Sequence, residues 1–386
     1  MLRVGVDATS WDNRRGYGRF TRGAVRALLE LDTDASYVLY LDAGRGNGHP
    51  LPERAERRAV PLRGAAADGT SRSPGDALRL SRAVRRDSPD VVLFTSPYTW
   101  FPTGRARTVV GVHDTIANDL PSLVLPRRRD RVLWRAKERL AIRRAARLFT
   151  VSEASRAALA GALRRDPATI AVVPEAPDDV FRPLAPSAAE VDLTSAGLTS
   201  GEAFVLAAAG GVSPHKNVET LLEAYASLRE APRLVIAGAL DDEVYASAAG
   251  SVRSRIEELG LRERVVLPGY VDDETLAALY RSAAVVVNPS LAEGFGLPAV
   301  EAAACGAAVL LSDIPAHRET LGGAACFFDP LDDRRLADLL AELLADPGRR
   351  QAVGDGCRAA VAGLSWRAAG ERLRALIHDA VREPRD

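Results

Sequence analysis

Short β-branched runs alternate with stretches of helical period along the whole chain, and they do so in two separate series. In the first half the strand-forming runs are Leu2–Ala8, Tyr37–Leu41, Val91–Thr95, Val109–His113, Leu148–Val151 and Ile170–Val173. In the second they are Phe204–Ala209, Leu234–Ala237, Val265–Leu267, Ala284–Val287, Ala308–Leu311 and Cys326–Phe328. Between strands, apolar side chains recur on one helical face, as with Val218, Leu221, Leu222, Tyr225 and Leu228. A helix between two strands returns the chain to the same end of a sheet, so the strands pair in parallel under helices on both faces. The expected class is therefore α/β, with two Rossmann-like domains. The series break in Leu184–Glu202, which is rich in Pro, Ala and Ser and has no strong strand. The expected domains are 1–184 and 185–366, followed by a C-terminal helix in 367–386 whose pattern runs from Trp366 to Glu383. Arg45–Asp76 reads as an irregular surface loop region.

A chain of 386 residues is long enough for each domain to bury its own core, and 47% hydrophobic with 26% charged residues describes a globular protein. No apolar run is long enough to cross a bilayer, and Arg3 and Asp7 interrupt the first strand where a secretory signal would be apolar. Cys305, Cys326 and Cys357 are widely spaced and odd in number, which fits reduced thiols better than a disulfide frame or a zinc site. A cytoplasmic location is expected. The zero net charge conceals two opposed halves. Residues 1–185 carry 32 basic and 21 acidic side chains, and residues 186–386 carry 19 and 30. The halves therefore have different tasks. Only Lys137 and Lys216 among the 51 basic residues are lysines.

Open α/β sheets bind ligands in the loops at the carboxyl ends of their strands. Four segments hold such positions. Glu293-Gly-Phe-Gly-Leu-Pro-Ala-Val-Glu301 places one acid in a glycine-broken turn and another inside the following helix. Two acids at this spacing are a weak signal by themselves, because any helix start favours Glu. Gly294 and Gly296, however, allow close backbone approach, and Pro298 suits a first helical turn. Free N–H groups at such a terminus attract phosphate, while the flanking carboxylates accept from hydroxyls. A nucleotide sugar carries hydroxyls on both sides of a diphosphate. The second segment, Gly210-Gly-Val-Ser-Pro-His-Lys216-Asn217, puts a lysine at a helix start, where Asn217 would cap. The third, Asp7–Arg22, contains Gly16 and Gly18 ahead of a helix, and the fourth ends a strand with His113-Asp114.

Several chemistries lack their motifs. Neither G-x-G-x-x-G nor G-x-x-x-x-G-K-[ST] occurs, so neither a dinucleotide cofactor nor ATP-driven chemistry is indicated. The pairs Asp178-Asp179, Asp241-Asp242, Asp272-Asp273 and Asp332-Asp333 read as turns or helix starts without ligand spacing, so no metal is expected. The basic first half lacks the motifs of common nucleic-acid-binding modules, and no nucleic acid partner is expected.

The segment Glu293–Glu301 resembles the signature of retaining glycosyltransferases of family 4, which have the two-domain GT-B fold. The resemblance covers most of both series, strongest in 204–320 and weakest in 45–90. It implies two domains with parallel sheets facing across a cleft, an acceptor-binding first domain and a nucleotide-sugar-binding second domain. It implies that the last helix crosses back to the first domain. Glu301 would bind ribose hydroxyls and Glu293 the donor sugar, and Phe295, Gly296 and Leu297 would offer amides, with Gly294 beside them. Lys216, with Gly211, would meet the diphosphate, Gly269 and Tyr270 would border the nucleobase, and Gly16 and Gly18 would lie near the diphosphate and the acceptor. His113 would face the donor sugar. His113, Lys216 and Glu293 are thus the catalytic expectations. The family often carries an Arg a few residues before this Lys, and here Gly210 and Gly211 stand in that region. The Pro-x-Lys-Asn form leans towards GDP-mannose.

The expected reaction is retaining and metal-independent transfer of a hexose to a glycan, a lipid-linked sugar or a small molecule. A non-catalytic nucleotide-sugar-binding subunit and a sugar-nucleotide hydrolase or epimerase of the same fold are the alternatives. Arg127–Arg147 holds ten basic and two acidic residues, with apolar Leu133, Trp134, Leu140 and Leu148. It reads first as a core-packed helix with a solvated basic face. Its other reading is peripheral contact with anionic lipid at the inner face of the membrane.

Overall fold

The computed structural model describes residues 1–14, 16–44, 48–63, 72–183, 193–199, 201–239 and 247–382. The chain forms two compact units, 1–175 with 365–386 and 176–364. The expected boundary at 184–185 and the pair Asp241-Asp242 lie outside the described residues.

The first unit is a parallel sheet of seven strands. They are β1 (Leu2–Asp7), β2 (Ala35–Asp42), β3 (Glu56–Val60), β4 (Val91–Phe94), β5 (Arg107–Gly111), β6 (Arg147–Thr150) and β7 (Ile170–Val172). Their order across the sheet is β3-β2-β1-β4-β5-β6-β7. Val4 and Val6 of β1 face β2 on one side and β4 on the other, and all three strands are buried at their centres. The strand β3 falls inside the stretch read as loop. Its sequence Glu-Arg-Arg-Ala-Val is mostly exposed, as suits a charged edge strand that resists pairing with another chain.

The second unit has six parallel strands. They are β8 (Phe204–Gly211), β9 (Arg233–Ala239), β10 (Val265–Gly269), β11 (Val285–Asn288), β12 (Val309–Ser312) and β13 (Cys326–Phe328). Their order is β10-β9-β8-β11-β12-β13, with Val286 of β11 opposite Leu206 of β8. Val205, Leu234, Ile236, Val285 and Leu310 supply the sheet side of its core, and Leu221, Leu222, Tyr225 and Leu340 the helix side. In both sheets the strand order reverses direction after the first strand of the unit, between β1 and β4 and between β8 and β11. Ligand crevices of open α/β sheets form at such reversals.

The tail helix Trp366–Arg382 belongs to the first unit and lies on the helix Gly16–Leu31. Two glycines bring the two helices together. A Cβ on Gly23 would stand 2.2 Å from Trp366 Cε2, and one on Gly370 would stand 2.8 Å from Ala27 C and Leu28 N. Leu373, Ile377 and Ala380 are fully buried, and the Arg107 guanidinium donates to the Ala380 carbonyl at 2.6 Å.

The basic helix spans Arg128–Arg144 and departs from its expected packing. Leu133 is 63% exposed and Leu140 44%, while Glu138, Ala141 and Ile142 are the buried positions. Trp134 sets this phase. Its ring lies 4.0 Å from that of Tyr98, so the stripe Trp134, Glu138, Ala141 turns inward and Leu133 and Leu140 turn out. Among the described residues no helix is long and apolar enough to cross a membrane.

Candidate active site

The switch point of the second sheet brings together the loops after β8 and β11. After β8 the chain makes a bulge, with Gly210 in the left-handed region at φ 65°. A side chain is strained there, and glycine is not. The short 3-10 turn Pro214–Lys216 then aims Lys216 across to the β11 loop. Two ties hold these loops in register, and a third reaches the loop after β13. Leu291 N–H donates to the His215 carbonyl at 2.8 Å, and the Asn217 amide donates to Pro289 O at 3.0 Å and Pro330 O at 2.7 Å. Asn217 itself is left-handed, at φ 55°, and its side chain makes no cap bond to the helix Val218–Ala226. The expected cap is thus a staple between loops, because the αL backbone points the amide away from the helix start.

Lys216 Nζ donates to Glu293 Oε1 at 2.8 Å. The Ser290 hydroxyl lies 2.7 Å from the same oxygen. Both charged side chains are largely buried, with 16% of Lys216 and 9% of Glu293 exposed. Burial alone would raise the Glu293 pKa, but the Lys216 charge, then His317 and His215, and the Lys216 hydrogen bond outweigh it and hold the carboxyl at about 2. Two histidines complete the surroundings. Burial, aided by the Lys216 charge, lowers His215 to about 3, and burial likewise lowers His317. Both rings are neutral near pH 7, so Lys216 is the cation that matters to Glu293.

His317 also shapes the turn before the helix Leu297–Ala304. Its Nδ1 donates to the Ser312 carbonyl at 2.9 Å, which leaves Nε2 as an acceptor with no hydrogen-bond partner among the described residues. A Cβ on Gly296 would stand 2.9 Å from His317 Cδ2, and Gly296 has φ 86°. Only glycine meets both demands. No side chain caps this helix, and Pro298 occupies its first turn. Pro298 carries no N–H, and Ala299 and Val300 both donate to the Gly296 carbonyl, so the Leu297 N–H is the donor this helix start offers to an acceptor from outside. Phe295 and Leu297 are buried beneath, and Glu301, one turn on, is 1% exposed and accepts from the Tyr280 hydroxyl at 3.4 Å.

The structure thus joins Lys216, Glu293, Gly294, Gly296 and Glu301 around one crevice edge. Gly269, at φ 73°, and Tyr270, 44% exposed, end β10 at the same edge, with β9 between them and β8. Gly16, Gly18 and His113 belong to the first unit. A Cβ on Gly18 would stand 1.8 Å from the Asn13 carbonyl oxygen, whereas Gly16 has open space. His113 is buried, its Nε2 donating to Thr95 O at 2.8 Å and its Nδ1 lying 3.4 Å from Glu175 Oε1. Phe20 and Tyr17 pack on its ring at 4.6 and 4.8 Å.

Residues 195–359 match the family Glycosyl transferases group 1, and residues 14–179 match Glycosyltransferase Family 4. The chain belongs to the group 1, family 4 glycosyltransferases. It is 34% identical over 189 residues to D-inositol 3-phosphate glycosyltransferase 1 of Catenulispora acidiphila, a stretch covering 47% of this chain and 45% of that relative. It is 37% identical over 153 residues to O-antigen chain mannosyltransferase B of Escherichia coli, covering 38% and 39%. The chain thus spans under half the length of these curated relatives. HepE of Anabaena, solved in complex with UDP and glucose, resembles it with a TM-score of 0.74 at 17% identity, over 98% of this chain and 100% of that one. With two parallel-sheet α/β units, the fold is GT-B.

Four residues that contact the expected site residues escaped the sequence. Ser290 and His317 lie in loops without a distinctive pattern, and His215 is overshadowed by Lys216. Glu175 lies 62 positions from the histidine it faces. The one available signal was the rarity of histidine, with five in the chain, three of them at these two strand-end clusters.

Proposed function

We propose that the chain transfers a sugar from a nucleoside-diphosphate donor to an acceptor hydroxyl, with the anomeric configuration retained and without a metal ion. The Lys216–Glu293 pair at the switch point of the second sheet, beside an uncapped helix start, carries this reading. As the bond from C1 to the diphosphate oxygen lengthens, negative charge grows on the leaving group. Lys216 and the Leu297 N–H at the start of Leu297–Ala304 are fixed donors for that charge, so little reorganisation is needed at the moment of reaction. Glu293, held ionised, accepts from sugar hydroxyls, and Glu301 accepts from the ribose. Gly211 and Gly294 allow the backbone to approach, Phe295, Gly296 and Leu297 contribute amides, and Gly269 with Tyr270 borders the base.

In the proposed transfer, the acceptor hydroxyl attacks C1 from the face the diphosphate leaves. A new C1–O bond forms as the old one breaks, and the hydroxyl proton passes to the departing phosphate oxygen. His113, oriented by Thr95 O and Glu175, is assigned to a sugar contact, and Gly18 lets the first turn of the helix Gly16–Leu31 close on the Asn13 carbonyl. Acceptor binding is assigned to the first unit. GDP-mannose is the favoured donor, supported by the Pro214-His215-Lys216-Asn217 form and by the mannosyltransferase relative. UDP-sugars are the competing class, given the ligands of HepE.

Thermal unfolding with UDP-, GDP-, dTDP- and ADP-sugars in EDTA tests the reading. One class is expected to raise the midpoint, since a ligand at ~100 times its Kd adds about 2.7 kcal/mol to native stability. Glu301→Ala should abolish the rise. No shift with any class at saturation contradicts the proposal.

A further inference from the structure

The first sheet has a switch point of its own, between β1 and β4, and a buried arginine and a partly buried lysine lie beside it. The side chain of Arg72 is 1% exposed. Its Nη2 donates to Thr9 Oγ1 at 2.5 Å and lies 3.6 Å from Asp7 Oδ2, at the carboxyl end of β1. Its Nε and Nη1 are buried and make no hydrogen bond among the described residues. Lys137 comes from the basic helix and donates to the Tyr98 carbonyl, in the turn that follows β4. Burial lowers the Lys137 pKa to about 8, with the Arg72 charge acting in the same direction and Asp7 opposing both.

Two cations therefore depend on one carboxylate. Asp7 is already committed on its other oxygen, which accepts from Thr9 N at 3.2 Å and Thr9 Oγ1 at 2.7 Å. A guanidinium carries five donors in a planar fork, and leaving part of that fork buried without acceptors is costly. An oxygen-rich dianion answers all of these demands at once. Phosphate takes two parallel bonds from an arginine fork and a point charge from lysine. The surroundings suit a polyhydroxylated ligand as well. Tyr17 Oη donates to Tyr98 Oη at 2.9 Å and lies 3.2 Å from Asp114 Oδ2, and its ring packs on His113.

We propose that Arg72 and Lys137 form a phosphate subsite at the switch point of the first sheet, so that the acceptor of the transfer proposed above is a phosphate ester. The inference rests on that function but draws on residues the donor site does not use. The ester is either soluble, as a sugar phosphate, or a lipid headgroup.

The test uses the two lysines of the chain. Trace labelling of the intact protein with acetic anhydride, resolved by peptide mass, reports Lys137 and Lys216 separately. Inorganic phosphate, glucose 6-phosphate and phosphatidylglycerol vesicles are compared with chloride at equal ionic strength. At saturation Lys137 labelling is expected to fall about fivefold or more, because a bound phosphate covers the amine and favours its protonated form. Protection by the soluble ester or by the vesicles identifies the source. Arg72→Gln should require about tenfold more phosphate, and Arg72→Lys, which keeps the charge without the fork, should fall between. Should Arg72→Gln fail to fold, Arg72→Lys and the wild-type labelling decide the matter. Lys137 labelling that is the same in phosphate, glucose 6-phosphate, vesicles and chloride overturns the proposal. Protection of Lys216 by a nucleoside diphosphate reports the donor reading independently, so either claim can fail without the other.

Discussion

Lys216→Met is expected to lower kcat/KM for sugar transfer by about 10²- to 10³-fold, the range seen when one fixed donor to developing charge is removed. It should also destabilise the fold, because Glu293 is left buried without its cation; breaking such a pair costs ~3–5 kcal/mol. The pH dependence separates the two effects. In the wild type, Glu293 is depressed to about 2, so its contribution is complete above the ordinary carboxylate range and is lost as pH falls through about 2. Without Lys216, burial dominates and the carboxyl pKa rises. The native state then binds the extra proton, so stability falls as pH increases above the unfolded value. Urea unfolding of the variant should therefore show a higher midpoint in mild acid than in mild alkali. Lys216→Met with Glu293→Gln should recover most of the stability and none of the activity. A single variant with unchanged midpoint and with kcat/KM within twofold would sink this account of the pair.

The second large effect concerns the tail helix. Gly370→Ala is expected to cost about 2–3 kcal/mol despite the helix propensity gained, which is worth about 1 kcal/mol in its favour. The added Cβ would stand 2.8 Å from Ala27 C and Leu28 N and 2.9 Å from Ala27 Cβ. These are backbone and near-backbone atoms of a packed helix, so no rotamer change relieves them. The helices Gly16–Leu31 and Trp366–Arg382 must separate, exposing Leu373 and Ile377. Gly161→Ala, inside the helix Glu153–Leu163 where nothing lies within 4 Å, is the matched control. Equal urea midpoints for the two variants would show that the helix contact is softer than its geometry indicates.

Much of the fold was legible because buried parallel strands are continuous apolar runs, and twelve of the thirteen strands carry one. The exception, β3, is a charged edge strand, where the pressure against aggregation removes the pattern that marks a strand. The basic helix shows another limit. Its apolar residues occupy two faces, and a single stacking contact of Trp134 on Tyr98 decides which face is buried. Within the site, Lys216 and Glu293 were each visible as a residue beside a glycine turn, but they lie 77 positions apart and their pairing follows only from β8 and β11 being neighbours. The same holds for Arg72. It stands in a stretch without strand or helix period, and its meeting with Asp7 and Lys137 depends on how three elements converge on one sheet edge.

The measurement that bears most directly on the central claim is carbon NMR of a donor sugar labelled at C1, incubated with the protein in EDTA and with a sugar phosphate or water as acceptor. The expected result is loss of the donor signal and first appearance of a product with the donor's own anomeric configuration, both absent in Lys216→Met. An inverted product, or turnover that begins only when a divalent cation is added, would contradict the account.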